Sequence, residues 1–253
     1  DQSIGSQGVE PGQFNNPHGI AIAPDGSIYI ADTDNNRIQH LAADGTILQV
    51  WGSQSPQPGG QAVDGTFTQP WDVAVGPDGS VFVADTWNHR IQKFSPDGQF
   101  ITKWGDGIKM DLNDPYGFYG PRGIAVNADG LVFVTDTGNK RIIVYDSDGN
   151  FITQIGEGGF AAGQFDEPVG ISTDLQGRLY IADTWNQRIQ ILSPSSASTY
   201  NPLTQWDIDG WYGKGITNYP YITTDNEGNV FITDPEGMQI IEYTLEGKVV
   251  RFW

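Results

Sequence analysis

Cysteine is absent from the 253 residues, which excludes disulfides and thiolate-bound metal. That suits a bacterial or cytosolic protein better than a disulfide-built animal secretory domain, and it leaves the bacterial exterior open. Basic residues are scarce: 13 Lys and Arg face 31 Asp and Glu, a formal net charge of −18. Nucleic-acid binding draws much of its affinity from cations that neutralise phosphates, so no nucleic-acid partner is expected, and anionic membranes are poor partners for the same reason. No apolar run approaches the roughly 18 residues of a membrane span. No charged-then-apolar leader opens the chain, which therefore reads as a soluble, mature piece with no direct membrane insertion. Histidine is also rare, and His18, His40 and His89 form no paired ligand motif. No helical periodicity of useful length is present, so no phosphate loop leads into a helix. No catalytic residue, metal site or cofactor is expected.

What the chain does contain is a repeat. Ala31-Asp32-Thr33-Asp34-Asn35-Asn36-Arg37-Ile38-Gln39, Ala84-Asp85-Thr86-Trp87-Asn88-His89-Arg90-Ile91-Gln92 and Ala182-Asp183-Thr184-Trp185-Asn186-Gln187-Arg188-Ile189-Gln190 are near copies. Thr135-Asp136-Thr137-Gly138-Asn139-Lys140-Arg141-Ile142 is a fourth, and Thr233-Asp234-Pro235-Glu236-Gly237-Met238-Gln239-Ile240 a worn fifth. The marker aspartates recur at steps of 53, 51, 47 and 51 residues. A period of this length signals a stacked or radial repeat architecture.

Each copy reads as four short strands. In the first they lie near 19–23, 27–32, 37–41 and 46–51, with Asp25-Gly26 and Asp44-Gly45 marking tight hairpin turns. A lone four-stranded meander has two faces to bury, and five in succession bury them against one another around an axis. The expected fold is an all-β propeller, one domain over 1–253, with blades near 17–52, 70–105, 121–156, 168–206 and 220–253. Gln2-Ser3-Ile4-Gly5 looks like the tail of a fourth strand, so the chain starts and stops at one phase of the repeat.

Gly-Gln-Phe (Gly12-Gln13-Phe14, Gly163-Gln164-Phe165), Pro-x-Gly-Ile-Ala, the Asp-Gly turn and Ala-Asp-Thr-x-Asn-x-Arg-Ile-Gln together resemble the NHL family of β-propellers, bacterial-type, along the whole chain. NHL relatives commonly have six blades, so the resemblance also allows these five to be part of a six-bladed ring. The resemblance implies a fold and is nearly silent on function.

Two sets of side chains are candidates for chemistry. Asp32, Asp85, Asp136 and Asp183 each end a second strand, and Arg37, Arg90, Arg141 and Arg188 each open a third. Recurrence in blade after blade favours a structural polar network, Asp pairing with Arg and capping loop donors, over a ring of carboxylates for a cation. The second set departs from the repeat. Strand direction places the loops joining strands two and three on the same face as the connections between blades, opposite the Asp-Gly turns. Trp87 and Trp185 stand there, with Tyr116, Phe118, Tyr119, Phe160, Trp211, Tyr212 and Tyr219 in the connections. Just after each proline, at the channel mouth, come His18, Trp71, Arg122, Val169 and Tyr221. Phe14 and Phe165, being repeated, read as packing residues.

The expected ligand site is His18, Trp71, Trp87, Arg122, Trp185 and Tyr221, aromatic planes mixed with a few polar groups. The function expected from it is a non-catalytic recognition or sensor module that binds a glycan, peptide or protein. The alternative is a metal-dependent lyase or lactonase-like propeller enzyme, since NHL-like lyases and lactonase propellers carry His, Glu or Asp ligands around the axis. Acidic arrays of this kind resemble extracytoplasmic modules of bacterial membrane proteins, which favours the cell surface over the cytoplasm.

Overall fold

The structure is a computed structural model that describes residues 4–57, 59, 61–105, 112–208, 219–225, 227–234 and 237–253. It is all-β, a propeller of five four-stranded blades, each strand pairing with its neighbour in chain order. Blade one is Ile20–Ile22, Ile28–Asp32, Arg37–Leu41 and Ile47–Trp51; blade two is Pro70–Val75, Val81–Asp85, Arg90–Phe94 and Phe100–Trp104. Blade three runs Pro121–Val126, Val132–Asp136, Arg141–Tyr145 and Phe151–Ile155. Blade four follows with Pro168–Thr173, Leu179–Asp183, Arg188–Ser196 and Thr199–Asp207, and blade five with Ile222–Thr224, Val230–Asp234, Gln239–Tyr243 and Val249–Phe252. The chain divides into two compact units, Asp1–Ile124 and Ala125–Trp253.

Apolar residues knit each unit from sheet to sheet. In the first, Tyr29 and Ile38 of blade one pack with Phe67 of the connection and with Val73, Val81 and Phe94 of blade two. In the second, Phe133, Ile142 and Val144 meet Phe165, Ile171 and Leu179, while Ile189 and Ile191 meet Ile222, Val230 and Ile232. The middle strands are buried on both faces, which is why Val81–Asp85 and Arg90–Phe94 are buried along their whole length. Their polar residues therefore need partners inside the protein.

The Asp-Gly turns are three-residue loops. The Gly26 N–H donates to Ala23 O at 2.9 Å and the Ala23 N–H to Ser27 O at 2.8 Å. Gly26 alone has positive φ (84°), a bulge glycine after a type I turn, whereas a two-residue type I′ turn has both residues positive. The Asp25 carboxylate caps the loop, accepting from the Ser27 N–H at 2.9 Å.

The links between second and third strands are short 3-10 turns: Thr33–Asn35, Thr86–Asn88, Thr137–Asn139 and Thr184–Asn186. Each ends on a left-handed residue, Asn36, His89, Lys140 or Gln187, with φ between 53° and 57°. Near the N-terminus, Gly5 sits against the Phe14 ring as Gly52 sits against Phe67 and Gly156 against Phe165. Ile4-Gly5 thus has the surroundings of a fourth-strand end.

Candidate functional site: the hairpin tips and the inner-strand stack

At each tip the repeat's polar residues converge on one carboxylate. Asp32, Asp85, Asp136 and Asp183 show no exposed surface. Arg37, Arg90, Arg141 and Arg188 donate from Nε to them at 2.7, 2.8, 2.8 and 2.8 Å. The Asp85 carboxylate also accepts from the Thr68 N–H at 2.9 Å, Asn88 Nδ2 at 2.9 Å and Gln92 Nε2 at 3.0 Å. Burial pushes its pKa up, against the pull of Arg90. The rest of the Arg90 guanidinium reaches back to the preceding connection, donating to the carbonyls of Ala62 (2.8 Å), Val63 (2.9 Å) and Thr66 (2.8 Å). Arg188 does the same for Phe160, Ala161 and Gln164, at 2.8, 3.0 and 2.9 Å. One Asp–Arg pair therefore ties a hairpin tip to the connection that leads into its blade. In blade five Gln239 takes the arginine's place, donating to Asp234 at 2.9 Å.

The threonine of Ala-Asp-Thr does work that the sequence reading missed. Thr86 Oγ1 donates to Pro121 O at 2.7 Å and Thr137 Oγ1 to Pro168 O at 2.7 Å, each a bond to the next blade's leading strand. Thr33 Oγ1 makes the same bond to Pro70 O at 2.8 Å. The recurrence of Asp-Thr was visible in the sequence; its distant partner was not.

Between these fixed residues sits one that varies: Asp34, Trp87, Gly138 and Trp185. Trp87 is 39% and Trp185 56% exposed. Their backbones are held, the Trp87 N–H donating to Thr68 O at 3.2 Å and the Trp185 N–H to Asp166 O at 3.1 Å. In the first unit Trp87 stands edge-on to His89 at 6.2 Å. His89 Nδ1 accepts the Gly120 N–H at 3.0 Å, so its neutral ring carries the proton on Nε2. Burial lowers the pKa of His89 to about 4.

The residues after the prolines behave differently from expectation. His18 stacks on Trp71 with ring centres 4.0 Å apart, and the Arg122 guanidinium lies 5.1 Å from the Trp71 ring. Trp71 and Arg122 are only 7% and 6% exposed, so they offer a ligand little surface. The reason is geometric: the blades on either side each lay a flat side chain against the same indole. His18, half-buried, has its pKa lowered to about 4 by burial, with Asp34 opposing and Arg122 adding a smaller push downward. Its Nδ1 lies 3.1 Å from Thr33 Oγ1, and since that hydroxyl donates to Pro70 O, the imidazole is the donor. Next to Trp71 is Asp72, where blades one, three and four have Gly19, Gly123 and Gly170. Its buried carboxylate accepts from the Val73 N–H (2.9 Å) and the Ile124 N–H (3.0 Å), and burial raises its pKa to about 7.

Val169 is fully buried and Tyr221 half-buried. Trp185 and Tyr221 belong to the second unit; His18, Trp71, Trp87 and Arg122 belong to the first. Among the loop aromatics, Phe118 and Tyr219 are buried, whereas Tyr116 and Phe160 are exposed. Trp211 and Tyr212 lie outside the described residues. Among the described residues no three His, Asp or Glu side chains gather as metal ligands.

Comparison with known proteins places these features. The NHL repeat model matches residues 14–41, 67–94, 118–145 and 165–192, each running from the connection phenylalanine to the third strand. Peptidyl-glycine alpha-amidating monooxygenase A of Xenopus laevis is 38% identical over 144 residues, 55% of this chain and 15% of that protein. Protein brain tumor of Drosophila melanogaster is 30% identical over 155 residues, 60% of this chain and 14% of that one. The chain thus spans about one seventh of the length of these relatives. Among solved structures, a chain of a nidogen/laminin complex superposes with a TM-score of 0.64 at 19% identity, covering 94% of this chain and 79% of that one. A streptogramin B lyase gives 0.59 at 17%, covering 92% and 67%. At such identities the likeness is one of fold.

Proposed function

The chain belongs to the NHL-repeat family, and we propose that it is a recognition module that takes a protein, peptide or glycan ligand on its hairpin-tip loops. One observation carries this reading. Two tryptophans occupy a variable position of a tip whose Asp, Thr, Asn and Arg recur, and both face out from backbones held by hydrogen bonds to the preceding connection. An exposed aromatic on a rigid support suits binding, because little conformational freedom is lost when a ligand covers it. Buried Trp71 and Arg122 serve in this reading to brace His18 at the inner strands of the first unit, and Tyr221 belongs to the second unit. The solved nidogen/laminin complex, in which a protein of this fold stands beside another protein, supports a protein or peptide ligand. A place on the bacterial cell surface, within a membrane-anchored protein, completes the proposal and rests on sequence resemblance alone.

Screening the purified protein on peptide and glycan arrays tests the reading. Ligands should be found, and Trp87→Ala or Trp185→Ala should weaken them by about 1–3 kcal/mol. An unchanged array profile for both variants overturns it.

The similarity to an amidating monooxygenase, and to a probable peptidyl-alpha-hydroxyglycine alpha-amidating lyase of Caenorhabditis elegans, 29% identical over 133 residues, brings a second reading, a metal-dependent lyase or lactonase. The described residues do not fit a divalent cation: no ligand trio converges, and Arg122 lies beside the one histidine at the inner strands. Elemental analysis of the purified protein decides here too, since a stoichiometric, tightly held cation favours the lyase.

A further inference from the structure

Within the second unit, blade four pairs two exposed aromatics, one in its connection and one at its tip. Its connection presents Phe160, 78% exposed, where the first connection has Val9 and the second the buried Ala62; each of these carbonyls accepts from its blade's arginine. Its tip presents Trp185, as blade two's presents Trp87, where blade one has Asp34 and blade three Gly138. The two segments are joined directly, Asn186 Nδ2 donating to Gly159 O at 2.9 Å, one residue from each aromatic. With the carbonyls of Gly159, Phe160 and Ala161 turned inward to Asn186 and Arg188, the Phe160 ring is held outward.

The charges around this pair are one-sided. Glu157 is exposed in the same connection, and Asp207, exposed, lies opposite Arg188 in the strand register. The nearby cations are already matched: Arg188 is buried on Asp183, and Lys140 Nζ lies 2.7 Å from Asp166. The net charge of −18 reinforces that field. A tryptophan face attracts guanidinium and ammonium groups, and apolar side chains fill the space beside a phenylalanine.

We propose that Phe160 and Trp185 are paired anchors for a partner protein's cationic segment, in which arginine or lysine alternates with apolar residues. This deepens the recognition reading, on which it rests, by naming the class of ligand. Fluorescence anisotropy with a labelled peptide alternating Arg and Leu, and with its Glu-Leu counterpart, tests it on the whole chain. The Arg-Leu peptide should bind and the Glu-Leu peptide should not. The F160S/W185S double variant should weaken binding about tenfold or more, in line with loss of contact aromatics. E157Q/D207N should weaken it several-fold, with most of that difference gone at high salt. An unchanged thermal midpoint in the variants shows that folding is intact. Equal binding of the Glu-Leu peptide, or Arg-Leu binding indifferent to F160S/W185S, overturns the proposal; the second result means bulk charge alone. If the Arg-Leu peptide fails while array ligands are lost on Trp87→Ala, this inference falls and the recognition reading stands. If nothing binds in either format, both fall.

Discussion

The fixed and the variable residues of one hairpin tip lie side by side in the sequence and do opposite things. Asp85, Thr86 and Asn88 have no exposed surface, and their hydrogen bonds reach a neighbouring connection, the next blade's leading strand and one another. Trp87, between them, is 39% exposed. The first set recurs in blades one to four while the second is left free, which is why Asp34, Trp87, Gly138 and Trp185 can share one place. A repeat protein can therefore change what it presents without changing how it stands.

Arg90→Ala is the hardest blow to the fixed set. It strands the Asp85 carboxylate and three loop carbonyls, and should cost about 3–5 kcal/mol in urea unfolding. Arg90→Gln, which copies the Gln239–Asp234 pair of blade five, should cost less. A loss for the alanine variant within surface-substitution range would blur the line between fixed and variable residues.

Asp72 gives a comparable effect that depends on pH. Its folded pKa is raised from 3.8 to about 7, so the stability that goes with its neutral form is complete below 3.8 and disappears as pH rises through 7. That gap corresponds to on the order of 4 kcal/mol. Asp72→Asn should flatten the slope between pH 4 and about 7. His18 and His89 act in the other direction: both are lowered from 6.5 to about 4, so their contribution is full above 6.5 and lost as pH falls toward 4. The wild-type-minus-variant difference isolates Asp72; a difference that does not vary with pH would mean the carboxylate stays charged throughout.

Thr86→Val keeps shape and removes the bond to Pro121 O. It should cost about 1–3 kcal/mol, the penalty for an unsatisfied buried partner. The smallest stability effect belongs to the variable set: Trp185→Ala should stay within about 0.5 kcal/mol of wild type.

Much of this was legible in the chain. The Asp-x-x-Asn-x-Arg spacing marked the ends of second and third strands, and the structure closes each of those hairpins at an Asp–Arg pair. Contacts between blades were not legible, because they join residues far apart in the chain, 35 positions for Thr86 with Pro121 and more than 50 for His18 and Arg122 with Trp71, whose meeting depends on how one sheet leans on the next. For the same reason Trp71 looked like a ligand platform. Its departure from the repeat was visible, and its cover was not. The left-handed tip residues were hidden too, since His89 and Lys140 carry no glycine-like signature. Phe160 stood among the loop aromatics, but its outward presentation follows from carbonyls captured by Arg188.

The central claim is that the variable tip residues bind and the fixed ones hold the fold. The most direct test is a Trp87→Ala/Trp185→Ala double variant, compared with wild type by urea unfolding and on the same ligand array. Asp97→Ala and Asp148→Ala on the Asp-Gly turns serve as controls. The account predicts an unfolding midpoint close to wild type, loss of the array ligands in the double variant, and their retention in both controls. Ligands kept by the double variant, or lost equally by the Asp-Gly controls, would contradict it.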